Sequence, residues 1–163
     1  MSELQTIMNT TMSEGQLGEL SRLIPHTAKA MTIASVTASN VFGRAFTTTD
    51  FINATIGGTG NFAGILGRPH ESAAIGIQSA SDYTVIRYEP GLLLDTGAID
   101  VEIDNAVFGG YVQFHQTTGA LSYVATTTPD EGNTLIKNAR IEQIYQTTTG
   151  TKKLCQLRIV GLN

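Results

Sequence analysis

A single cysteine, Cys155, stands in a chain of 163 residues. It excludes an intrachain disulfide and any multi-cysteine metal site, and it is compatible with a reducing compartment. Tryptophan is absent, which argues against a carbohydrate-binding module, whose platform relies on Trp or exposed Tyr. Charged residues make up only 15% of the chain, with 10 Lys and Arg against 14 Asp and Glu, and no basic run exceeds Lys152-Lys153. Sequence-independent binding to nucleic acid needs several cations against phosphates, so this chain is a poor candidate for it. No apolar run approaches the ~18 residues of a membrane span, and no membrane partner is expected. The first residues, MSELQTIMNTTMSEG, carry Glu3 and lack the basic start and apolar stretch of a signal peptide. The chain is therefore expected to be soluble and cytoplasmic when made.

What is present points to β-structure. Threonine clusters at Thr47-Thr48-Thr49, Thr126-Thr127-Thr128 and Thr147-Thr148-Thr149, and Gly, Ile and Val are favoured over the residues of long helices. Ile99, Val101 and Ile103 alternate with Asp100, Glu102 and Asp104, the period of a strand with one buried and one wet face. Tyr111–His115 and Leu121–Ala125 flank Thr117-Thr118-Gly119, a hairpin whose glycine supplies the positive φ of a tight turn. The design recurs in Ile141–Tyr145, Thr147–Gly150 and Lys153–Val160, with Cys155, Leu157 and Ile159 on one face. Ala30–Thr37, Phe62–Leu66, Ala73–Gln78 and Thr84–Glu89 are further expected strands. Turn residues every 8–12 positions predict a sandwich or barrel, so the fold class is all-β.

The sequence offers no catalytic constellation. Gly58-Thr59-Gly60-Asn61-Phe62-Ala63 matches the spelling of a dinucleotide fingerprint, but Leu66-Gly67-Arg68-Pro69 leaves no room for the helix that must follow. A glycine-rich β-turn is the expectation. His26, His70 and His115 are scattered, and no serine sits in a nucleophile elbow. Asp100, Glu102 and Asp104 share a strand face that suits a weak cation, a basic partner or plain solvent, and solvent is expected. Cys155 falls in mid-strand, where packing is its expected role. No enzyme activity, cofactor or metal is expected.

A set of short motifs, in order, carries a resemblance. Gly43-Arg44-Ala45-Phe46, Asn61-Phe62-Ala63-Gly64-Ile65-Leu66, Pro90-Gly91, Gly109-Gly110-Tyr111-Val112, Thr118-Gly119-Ala120-Leu121 and Lys137-Asn138-Ala139-Arg140 resemble the structural cement, or head decoration, proteins of tailed phages. The resemblance covers about three quarters of the chain, from Gly43 onward, and the segment around Arg68–Ser81 departs from it. It implies a small β-barrel or tulip-like sandwich, a major capsid protein as partner, a place on the capsid exterior after assembly in the host cytoplasm, and no catalytic residues. It also implies oligomers; a homotrimer is expected, with a dimer as the rival. A tail-tube or baseplate subunit is the alternative reading.

Residues 1–30 differ from the β-domain expected over 31–163. Leu4, Ile7, Met8, Met12, Leu17, Leu20 and Leu23 are spread among polar residues without a sustained period, and Gly15 and Gly18 interrupt a long helix. So many large apolar side chains call for cover. The segment is expected to be an arm whose apolar residues contact the capsid or a neighbouring copy.

Overall fold

The computed structural model describes residues 17–21, 24–68 and 84–161. Ten strands occur among them: β1 (Thr27–Ile33), β2 (Ala45–Thr48), β3 (Asn53–Ile56), β4 (Asn61–Leu66), β5 (Pro90–Asp104), β6 (Tyr111–His115), β7 (Leu121–Val124), β8 (Asn133–Leu135), β9 (Ala139–Thr149) and β10 (Lys152–Ile159). The only helical turn among these residues is a 3-10 turn at Thr37–Ser39. The all-β expectation holds, and the fold is built round a barrel.

Five strands close that barrel. β1 pairs in parallel with β3, β3 with β2, β2 with β4 and β4 with β5 in antiparallel, and β5 returns to β1. Closure leaves no free edge. The second half of β5 leaves the barrel and joins a second sheet, where it pairs with β10 from Gly97 to Asp104 and with β7 at Ile103 and Asp104. That sheet runs β9-β10-β5-β7-β6-β8. It curls on itself, because the Gly109 N–H donates to the Ile141 carbonyl and the Ile141 N–H to the Gly110 carbonyl.

Two cores follow from strand periodicity. Successive side chains on a strand point to opposite faces. Leu66 and Leu93 accordingly join Met31, Ile33, Phe42, Phe46, Ala54 and Ala63 in the barrel core. Their neighbours Ile65 and Leu94 pack on the other side, with Ile99, Val101, Ile103, Phe114, Ile141 and Leu157. β5 serves both cores, which is why so much of it is apolar and buried. Each fully buried Leu, Ile or Phe contributes about 1.5–3 kcal/mol.

Some sequence expectations shift. The two hairpins form as expected, β6 with β7 and β9 with β10. β1 spans Thr27–Ile33 rather than Ala30–Thr37. Thr84–Glu89 is no strand: Thr84 makes an isolated bridge to Val41, and the chain then turns through Tyr88. Its apolar–polar alternation mimics a strand, but Tyr88 adopts φ 70, which breaks extension. β2 and β3 escape a periodicity search because they are four residues each. The strand expected at Ala73–Gln78 lies outside the described residues.

Candidate functional site

The described residues bring together no catalytic group. His26 is exposed beside the Ile24 carbonyl, and His115 accepts from the Thr117 N–H through Nδ1 at 3.2 Å. His70 lies outside the described residues. No group of three His, Cys, Asp or Glu able to hold a metal occurs among those described. Cys155 is fully buried, and burial pushes its thiol up to about 11, so it packs rather than reacts. Gly58 and Gly60 lie in the link between the short strands β3 and β4, with no helix after them.

The carboxylates of β5 need a correction. Glu102 meets Lys152 at 3.2 Å and accepts from the Thr148 hydroxyl, and Asp104 accepts from the Thr151 hydroxyl. Asp100, expected on the wet face, is only 7% exposed. It accepts from the Tyr145 hydroxyl of β9 at 3.1 Å. Across the ladder its backbone bonds Gly18 and Glu19, so Glu19 stands nearly opposite. Like charges in that arrangement repel. Burial raises the Asp100 carboxyl to about 6, the Tyr145 bond pulls it back, and Glu19 pushes it further up.

A raised carboxyl means that the folded chain holds a proton the unfolded chain has lost between about pH 4 and 6. This contribution to stability is therefore full below about pH 4 and is lost as pH rises to about 6. Asp100→Asn should stabilise the protein at pH 7 by about 1–2 kcal/mol, allowing for solvent screening, and do little at pH 4. Urea unfolding at both pH values checks this; equal effects at the two would refute the buried-charge account.

Of the expected contact residues, Leu4, Ile7, Met8, Met12 and Leu23 lie outside the described residues. Leu17 lines a cleft with Phe42, Gly43, Glu102, Asp104 and Lys152. Leu20 is 5% exposed and belongs to the core of the second sheet. The Gly18 N–H donates to the Asp100 carbonyl, the Asp100 N–H to Glu19, and the Ser21 N–H to Ala98. Residues 18–21 thus run antiparallel beside β5, with Leu20 bridged to Ile99.

A surface missed in the sequence lies at one end of the barrel. Val36, Phe51, Ile52, Ile86 and Tyr88 are all more than half exposed, Phe51 at 74%. Backbone bonds gather them: the Thr32 N–H donates to Ile52, Tyr88 N–H to Ile33 and Ile33 N–H to Glu89. The buried Asn40 amide donates to the carbonyls of Ser35 and Val85, tying two of these loops. Asp50 accepts from the backbone and side chain of Asn53 and from the Ile52 N–H, which holds its carboxyl down at about 2. Phe51 and Tyr88 adopt φ 62 and 70, a region that bulky residues rarely occupy. Such strain persists only where surrounding contacts enforce it. Arg87 lies 4.7 Å over the Tyr88 ring. The available signal was Phe51-Ile52, two large apolar residues directly after a turn-forming Asp.

Comparison with known proteins now bears on this geometry. A family described as structural cement protein (E217 gp24/Pam3 gp6) matches residues 4–160. A chain in the solved capsid of Myoviridae phage XM1 has a TM-score of 0.59 and 14% identity, over 89% of this chain and 89% of that one. At that identity the likeness concerns the fold. A search of curated proteins found no match.

Proposed function

The chain belongs to the phage structural cement family, and from that premise we propose that it seats the apolar end of its barrel on the outside of a capsid and ties neighbouring capsid subunits together. It is a structural protein of the virion. In this reading it carries out no chemistry, its partner is the major capsid protein, and copies of it associate, with a trimer preferred over a dimer because closed symmetry buries apolar surface without leaving open ends. Repeated copies add avidity on a repeating shell. The arm, through Leu4, Ile7, Met8, Met12 and Leu23, supplies contacts outside its own domain, while Leu17 and Leu20 pack against that domain.

The observation that supports this most is the exposed apolar cluster on pinned loops. Exposed patches of this kind on otherwise polar surfaces mark interaction sites. Rigid loops lose little entropy on docking. The test is a decoration assay with empty capsids and the Phe51→Asn, Tyr88→Asn double variant. Asparagine tolerates the left-handed conformation, so the fold should be as stable or more so. Attachment should weaken at least tenfold, read by co-sedimentation and electron microscopy. Undiminished decoration by a folded double variant would remove the barrel end from the contact.

A further inference from the structure

Where β6 meets β9, a cleft of about 300 Å³ is lined by Tyr111, Thr127, Leu135, Ile136, Lys137, Asn138 and Arg140. The Arg140 guanidinium stacks 3.7 Å from the Tyr111 ring centroid, and one of its nitrogens donates to the Ala139 carbonyl at 2.7 Å. Its plane is therefore fixed. Neither Lys137 nor Arg140 joins any of the ion pairs among the described residues, which are Lys29–Asp95, Lys152–Glu102 and Arg158–Glu142. In a chain of net charge −4, two cations sharing one cleft without an acid are a local exception. Leu135 and Ile136 give the same cleft an apolar wall. Phe108, 73% exposed, precedes Gly109, whose N–H bonds Ile141 next to Arg140. A held guanidinium beside an ammonium suits a carboxylate, which it can grip with two parallel bonds.

We infer that this cleft receives the acidic, apolar N-terminal arm of a second copy of the chain. Residues 1–16 contain Glu3 and Glu14, no Lys or Arg, and the apolar Leu4, Ile7, Met8 and Met12. Their chemistry complements the cleft in charge and in apolar character. The root of the arm does not: Leu17 lies beside Glu102 and Asp104, and Glu19 opposes Asp100. Sixteen extended residues reach about 50 Å. A domain of this size has a radius of gyration of about 15 Å, so this reach is long enough to span to a neighbouring copy. The contact rests on the self-association proposed above and specifies where it is made.

Charge exchange in the full chain, without capsid, tests this. One variant carries Glu3→Lys and Glu14→Lys, the other Lys137→Glu and Arg140→Glu. Wild type should sediment as an oligomer, and each variant alone should associate at least tenfold more weakly. An equimolar mixture should associate at least tenfold more tightly than either variant alone, because arms of one variant then meet oppositely charged clefts of the other, at both contacts of a dimer and at two of the three in a closed trimer. Loss of the Tyr111 stack threatens folding of the second variant; Lys137→Glu with Arg140→Gln replaces it if its circular dichroism departs from wild type. Association unchanged in either variant, or no tighter in the mixture than in the variants alone, overturns the arm-in-cleft contact and leaves self-association standing. A contact of each arm with its own cleft is the second of these results, since mixing cannot repair it. A monomeric wild type overturns both.

Discussion

Gly57→Ala is expected to cost about 3 kcal/mol or more, because the added methyl meets backbone rather than a side chain that can swing away. Gly57 holds φ 60 just after β3, and a Cβ there would collide with the Gln116 carbonyl in the β6–β7 turn. That turn joins the second sheet to the barrel: the Gly58 N–H donates to Gln116 at 2.5 Å and the Ala45 N–H to Gly119 at 2.9 Å. A left-handed alanine costs about 1–2 kcal/mol, and parting the turn from the barrel loses hydrogen bonds worth about 1 kcal/mol each. Gly132 and Gly150 supply the control. They also have positive φ, yet a Cβ on either meets nothing within 4 Å. Alanine there should cost only the conformational part. Urea unfolding of the three variants decides; a Gly57→Ala loss no larger than that of Gly150→Ala would mean that the junction contributes nothing.

Phe114→Ala should destabilise by about 3–5 kcal/mol, a third or more of the stability of an ordinary domain. The side chain is fully buried in the second core, its ring 6.2 Å from that of Phe62 on β4. Phe46→Ala, in the barrel core, should cost a similar amount. The two losses should add, since the side chains belong to separate clusters. Each variant should nevertheless unfold in one transition, because β5 runs through both sheets and neither core survives without it. Unfolding by Phe114→Ala that left the barrel at its wild-type midpoint would show two independent units.

Much of the second sheet was legible in the sequence. Its strands are long or joined by tight turns, so hydrophobic alternation and the glycines at 119 and 150 reveal both hairpins. The barrel was harder to see. β2 is buried at all four positions, and a four-residue strand buried on both faces shows no alternation. Asp100 was misplaced for a related reason: strand period separates two faces but does not tell whether Tyr145 and residues 18–21 will cover the polar one. The exposed apolar end of the barrel showed in the sequence only as the pair Phe51-Ile52, because Val36, Phe51, Ile52, Ile86 and Tyr88 are dispersed over more than fifty positions. The Lys137–Arg140 cleft was visible only as a motif of the family resemblance.

The sequence by itself determined the class of the protein: all-β, without a catalytic or metal motif, and with the ordered motifs of a cement protein. Those properties are local or compositional, and alternation, turn residues and the order of motifs report them directly. Tertiary structure decided how the pieces close. One 15-residue strand serves two sheets, the parallel β1–β3 pair seals the barrel, and residues 18–21 pair with β5. These are pairings between segments far apart in the chain, set by which buried faces and backbone bonds are satisfied together, and no short window of sequence carries that information.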